Sequence, residues 1–81
     1  MNTFSINKFD WQGNTLRINL ENLGRVHPDY LTSAGFNVDF RGRVKTFRFT
    51  NWMRNGDGEF MGWSFRSDDG FDVFIYLDGE C

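Results

Sequence analysis

The sequence predicts a small α+β domain that is mainly β, with a twisted antiparallel sheet of five or six strands and one short helix. Three observations support this fold class. A chain of 81 residues has room for one hydrophobic core, so residues 1–81 form a single domain. Apolar and polar residues alternate in several short runs, as in strands with one buried face. Turn sequences rich in glycine separate these runs, and Pro28 is the only proline.

The first predicted element is a hairpin of residues 3–11 and 15–20. Positions 13–14 are Gly-Asn, a sequence typical of a two-residue hairpin turn. This turn sets Trp11 opposite Leu16. Both residues therefore point to the same face of the hairpin.

A short helix is predicted near residues 28–34, because a proline at its start and Gly35 after its end are typical helix boundaries. Residues 36–78 then form a meander of strands. The expected strands are residues 36–41, 43–53, 59–67 and 71–78. The loop at Asn55-Gly56 is expected to be longer than two residues, because a tighter turn would place polar residues of one strand opposite apolar residues of the next.

The core face of the meander follows from its strand registers. A three-residue loop at 68–70 sets Phe65 opposite Val73, and we expect Phe47 opposite Phe65 and Phe49 opposite Trp63. A two-residue turn at 41–42 extends this face to the preceding strand. The predicted core residues are Phe36, Val38, Phe40, Phe47, Phe49, Met61, Trp63, Phe65, Val73, Ile75 and Leu77.

The same registers place a second set of rings on the opposite face, together with two arginines. This predicted aromatic patch consists of Trp52, Phe60, Phe74, Tyr76, Arg48 and Arg66. Two interpretations are open. The N-terminal hairpin or the short helix covers the rings as a second core layer, or the sheet closes toward a small barrel. Alternatively, the patch is open to a partner.

An open patch of this composition predicts a protein-binding surface, because Trp, Tyr, Phe and Arg supply most of the energy of protein interfaces. We therefore expect a small non-enzymatic protein-binding module. A natural role is an inhibitor or accessory subunit of phage or mobile-element type that acts by occluding a surface of its partner. Formation of a homo-oligomer through the same face is a related alternative.

A nucleic-acid-binding sheet is the second functional hypothesis. Residues 41–54 contain five basic residues and no acidic one: Arg41, Arg43, Lys45, Arg48 and Arg54. With stacked rings, these residues could contact a nucleic-acid backbone. The net charge of −2 argues against it, as do the acidic residues that dominate positions 55–81. If residues 41–54 pair with strands from residues 55–81, basic and acidic side chains face each other and much of their charge cancels.

Catalysis and metal binding have little support in the sequence. The chain has one histidine, His27, and one cysteine, Cys81, and it shows no catalytic-triad or metal-ligand spacing. We expect no enzyme activity and no cofactor. The first ten residues lack a basic segment followed by an apolar stretch, and no apolar run approaches the roughly 18 residues of a membrane span. We therefore expect a cytoplasmic protein without a membrane partner.

Overall fold

The computed structural model describes residues 2–5, 11–24, 26–40 and 42–77, which form a seven-stranded mixed sheet with one short α-helix. The strands are β1 (Asn2–Ser5), β2 (Trp11–Gln12), β3 (Thr15–Asn19), β4 (Phe36–Phe40), β5 (Arg43–Arg54), β6 (Phe60–Ser67) and β7 (Asp72–Tyr76). A single 3-10 turn (Leu20–Leu23) and the helix α1 (Pro28–Ala34) connect β3 to β4. The prediction of a small, mainly β fold with one short helix is confirmed.

The number and direction of the strands differ from the prediction of five or six antiparallel strands. The order across the sheet is β1-β4-β5-β6-β7-β3-β2. β1 pairs in parallel with β4, and β3 pairs in parallel with β7, whereas the other neighbours are antiparallel. Alternation along a strand indicates which face is buried but not which strand lies beside it. The sequence therefore could not supply the two parallel pairings.

The predicted strand over residues 3–11 is also wrong. Its first part is β1 at one edge of the sheet, and its last residue begins β2 at the other edge. Residues 6–10 lie outside the described residues. The predicted turn at 13–14 and the pairing of Trp11 with Leu16 are confirmed.

The core lies on the concave face of the sheet, which is curled into a half-barrel. The ring centroid of Trp11, on edge strand β2, is 6.3 Å from that of Phe47 on β5, so the curl brings distant strands together. Phe47 also stacks on Phe36 at 5.5 Å. The predicted core residues that are buried are Phe36, Val38, Phe47, Trp63, Phe65, Val73 and Ile75. Phe49 and Met61 are half-buried, and the assignment of Leu77 to the core is wrong, because this residue after the end of β7 is exposed. The Phe40 side chain lies outside what the structure describes, as do Arg41 and Cys81.

Helix α1 packs on the same concave face through Leu31, whose side chain is fully buried. His27 caps its first turn, because the imidazole Nδ1 accepts a hydrogen bond of 3.1 Å from the Asp29 backbone N–H. At the other end, the Gly35 N–H donates to the Leu31 carbonyl at 2.8 Å. The described elements thus belong to the sheet or pack inside its curl, and none of them forms a second layer over the outer face. Among these residues, no helix has the length and apolar character needed to cross a membrane.

Candidate interaction surfaces

The predicted register between β5 and β6 is wrong by two residues at Phe47, which lies opposite Ser67 and not Phe65, and a β-bulge at Thr50 changes it further. Phe49 lies opposite Phe65, whereas Asn51 lies opposite the next residue of β6, Ser64. Thr50 is therefore an extra residue in β5. Its hydroxyl lies 3.0 Å from the Ser64 carbonyl oxygen, to which it can donate a hydrogen bond. One added residue exchanges the two faces of the strand beyond it, so Trp52 points to the side that is opposite to the predicted one.

A second bulge interrupts β6 at Met61. Met53 lies opposite Gly62 and Arg54 lies opposite Phe60, which leaves Met61 as the extra residue. Gly62 has φ of 157°, and a Cβ atom there would lie 2.0 Å from the carbonyl oxygen of Ile75. Only glycine fits this close approach of two backbones. The bulge turns Phe60 toward the concave side, where it packs against the core.

The two bulges divide the predicted aromatic patch between the two faces of the sheet. Trp52 lies opposite Trp63, a core residue, and Phe60 lies 4.9 Å from the Trp63 ring. The prediction that Trp52 and Phe60 share a face with the other four residues is therefore wrong. The register of β6 and β7 is confirmed, so Phe74 and Tyr76 point outward as expected. Arg48 and Arg66 are paired across β5 and β6 on this outer face.

The concave side ends in a group of contacting rings that we call the aromatic end, in which Trp63 is buried, Phe49 and Phe60 are half-buried and Trp52 is exposed. Trp52 is 54% exposed, although its ring lies edge-on to Phe49 at 4.8 Å. Phe49 in turn contacts the buried Phe65 at 5.7 Å. The exposed tryptophan is thus the outermost member of a chain of ring contacts that begins in the core.

Helix α1 holds the inner ring of the aromatic end in place. The indole Nε1–H of Trp63 donates to Oδ1 of Asp29 at 3.2 Å. The His27 imidazole lies edge-on to the same indole at 6.0 Å. The sequence predicts Trp63 and Phe49 as core residues and gives them no place in a surface. The unequal spacing of the rings at 47, 49 and 52, and at 60, 63 and 65, is the signal that could have revealed the two bulges.

The outer face is a mixed polar and aromatic surface. Phe74 lies between Arg17 on β3 and Ser64 on β6, and the Arg17 guanidinium carbon is 5.7 Å from the ring centroid. Tyr76 lies opposite Gly62, where an aromatic ring can shield the glycine backbone. Both rings are only half-buried. A shallow groove of about 320 Å³ runs beside Phe74 and is lined by Thr50, Asn51, Met53, Ser64, Arg66, Asp72 and Phe74.

Most of the basic residues near this face are paired with aspartates of the β6–β7 hairpin. Arg66 Nε donates to Asp72 at 2.8 Å, and this hydrogen bond raises the pKa of Arg66 above its usual range. Arg48 lies 3.4 Å from Asp68. The charges predicted to segregate along the chain therefore largely cancel between strands.

Lys45 forms an ion pair with Asp69 of the same hairpin, but it lies on the concave side, opposite the buried Val38. Its ammonium is 4.1 Å from the centroid of the Phe71 ring. The hydrogen bond from Lys45, with a second one from the Ser67 hydroxyl, lowers the pKa of Asp69. Of the remaining basic residues named above, Arg43 is exposed, and Arg54 donates to the Gly58 carbonyl at 3.1 Å.

Within the described ranges, no three His, Cys, Asp or Glu side chains group so that they could hold a metal ion. No family model matches this chain, and no curated protein or solved structure matches it. The aromatic end and the outer face are therefore the two candidate interaction surfaces of the described chain.

Proposed function

We propose that the chain is a non-enzymatic protein-binding module whose contact surface is the aromatic end, with Trp52 as its anchor. The observation that supports this most directly is the exposure of Trp52 on the concave side of the sheet, where the rings of Phe36, Phe47, Trp63 and Phe65 are buried. A large apolar ring left half in water is unfavourable by itself. Burial against a partner would recover that free energy.

The contacts of Trp52 suit it for this role. Its ring already rests on Phe49, and Phe49 rests on the core. A side chain held in one orientation loses less conformational entropy on binding than a free one. Tryptophan is also among the residues that most often dominate interfaces, where truncation costs about 2 kcal/mol or more.

Charges around the aromatic end suggest the chemistry of the partner. The exposed carboxylates of Asp57 and Glu59 lie in the loop that joins β5 to β6, and Asp29 lies beside Trp63. Arg54 is the nearby base, and it is directed to the loop carbonyl of Gly58. An apolar pocket with a basic rim is complementary to this surface, and such complementarity speeds association at low salt. A partner whose functional pocket is filled by Trp52 would be inhibited by occlusion.

The nucleic-acid hypothesis has less support. Lys45, Arg48 and Arg66 each form an ion pair with an aspartate, so a phosphate backbone would have to compete with an existing partner. Binding to phosphates depends on net neutralisation of their charge, and these pairs reduce it.

Affinity capture with matched variants tests the proposal. Immobilised wild-type protein, Trp52→Ala and Phe74→Ala are exposed to a lysate of the organism that encodes the chain, and retained proteins are identified by mass spectrometry. We expect one partner to be retained by the wild type and by Phe74→Ala, which alters only the outer face. The same partner should be lost from Trp52→Ala, with affinity lowered roughly 30-fold or more.

Circular dichroism must show that both variants are folded. Equal retention by Trp52→Ala and the wild type would contradict the proposal. If only Phe74→Ala fails to retain the partner, the binding site lies on the outer face and the proposal is contradicted.

A further inference from the structure

One side chain, Asn55, organises the loop between β5 and β6. Its Oδ1 accepts hydrogen bonds from the backbone N–H groups of Asp57 at 2.9 Å and Glu59 at 3.0 Å. Its Nδ2 donates to Oε1 of Glu59 at 3.2 Å. The backbone of Asn55 is paired as well, because its N–H donates to the Glu59 carbonyl and its carbonyl accepts from Gly58. The conformation of the loop therefore depends on the Asn55 amide.

The residue that follows Asn55 leaves this amide open to attack by the backbone. Gly56 has no side chain, and a Cβ atom placed on it would meet no atom within 4 Å. Gly56 is also exposed, so no neighbouring atom crowds its backbone on that side. The two hydrogen bonds to Oδ1 draw electron density from the amide carbon, which makes that carbon a better electrophile.

We propose that Asn55 is a site of spontaneous covalent modification, in which the amide is converted to a carboxylate. The Gly56 nitrogen attacks Cγ of Asn55, a C–N bond forms, and the C–NH₂ bond breaks. Ammonia leaves with the proton from Gly56, and a five-membered imide remains. Water then adds to either carbonyl of the ring and opens it, giving aspartate or isoaspartate at position 55. No oxidant, reductant or enzyme is required.

The product reverses the chemistry of the loop. The Nδ2 donor that faced the Glu59 carboxylate is replaced by an oxygen with negative charge, and two like charges at this separation repel each other. In the isoaspartate form, the peptide bond to Gly56 is made by the former side-chain carbonyl, so the main chain is also longer by one CH₂ group. The loop should therefore open where it joins β6 beside Phe60. The modification itself does not depend on the proposed function.

Peptide mapping by mass spectrometry tests the modification. The folded protein is incubated in mildly alkaline buffer, and each asparagine-containing peptide is followed for the gain in mass that accompanies replacement of NH₂ by OH. Asn37 and Asn51 serve as internal controls, because Val38 and Trp52 place bulky side chains beside the attacking nitrogen. We expect conversion at Asn55 to be roughly tenfold faster or more than at either control, because only glycine leaves the nitrogen unhindered.

The variant Gly56→Val separates this mechanism from general hydrolysis. Position 56 has open space around it, so the variant should fold and should lose the fast conversion. An unchanged rate in Gly56→Val, or equal rates at Asn55 and Asn51, would overturn the proposal. Absence of conversion in the folded protein, under conditions where the urea-unfolded chain converts, would overturn it as well.

The consequence for the loop is tested with Asn55→Asp, which stands for one of the two products. We expect its urea midpoint to lie below that of the wild type at neutral pH, and Glu59→Gln in the same chain should restore it. A midpoint equal to that of the wild type would refute the predicted opening of the loop.

Discussion

Substitution of Gly62 by alanine should destabilise the protein more than substitution of any other glycine in the β5–β6 hairpin. Gly62 lies opposite Tyr76, next to the bulge in β6. An added Cβ would lie 2.0 Å from the Ile75 carbonyl oxygen and 3.1 Å from Cε of Met53. The methionine can move, but the Ile75 oxygen belongs to the backbone of a central strand. One of the two strands must therefore shift.

The cost has two parts. A non-glycine residue in this backbone region is strained by about 1–3 kcal/mol. The displacement needed to relieve the contact with Ile75 adds about 1–3 kcal/mol, as for an overpacked core. The total of about 2–6 kcal/mol is large against the roughly 4–12 kcal/mol expected for a domain of this size. At about 4–8 °C per kcal/mol, we expect the melting temperature to fall by at least about 8 °C.

Urea denaturation and thermal melting by circular dichroism measure this effect, and two other glycines in the hairpin provide controls. Gly58 has φ of 83° but would meet no atom within 4 Å, so Gly58→Ala should cost only the strain of about 1–2 kcal/mol. Gly56→Ala has neither the clash nor the positive φ and should be close to neutral. If Gly62→Ala is no more destabilising than Gly58→Ala, the strands do not approach as described and the reasoning is refuted.

Three further predictions concern the core, the charges and the helix. Phe65→Ala should lower the free energy of unfolding in urea by about 3–5 kcal/mol. Phe74→Ala, at a half-buried position, should lower it by less than half as much, and equal losses would contradict the assignment of faces. The folded-state pKa of Asp69 is depressed, so its stabilisation is present above about pH 4 and is lost as pH falls through the folded pKa. Between about pH 5 and about pH 2, the urea midpoint should therefore fall further in the wild type than in Asp69→Asn, and parallel curves would contradict the ion pair. Asp29→Ala should cost about 1 kcal/mol by removing the acceptor of the Trp63 indole, whereas Asp29→Asn, which keeps an oxygen there, should cost less.

The sequence predicted the β6–β7 hairpin because its turn and its alternation agree. The Asp-Asp-Gly turn at 68–70 allows one register, and that register places Val73 and Ile75 on the buried face together with Phe65 and Trp63. Helix α1 was predictable for a similar reason, since Pro28 and Gly35 lie at its two ends. In both cases, local chemistry and burial point to the same structure.

The candidate site was harder to predict because two bulges control it. A bulge has no fixed sequence signature, and a regular strand through Phe49 and Thr50 sends Trp52 to the outer face. The parallel pairing of β3 with β7 was out of reach for another reason. Leu16 and Ile18 indicate a buried face, but their partners lie more than 50 residues away in the chain. β7 becomes the neighbour of β3 only when the whole sheet curls around its core.

Contacts between aromatic rings, measured in solution by nuclear Overhauser effects, test the central claim most directly. The claim is that Trp52 lies on the concave side as the exposed end of a chain of rings. We predict cross-peaks between the Trp52 and Phe49 rings, whose centroids are 4.8 Å apart, and between Phe60 and Trp63 at 4.9 Å. In a regular strand, residues 49 and 52 point to opposite faces. Cross-peaks from Trp52 to Tyr76, without any to Phe49, would contradict the bulge at Thr50 and the aromatic end that depends on it.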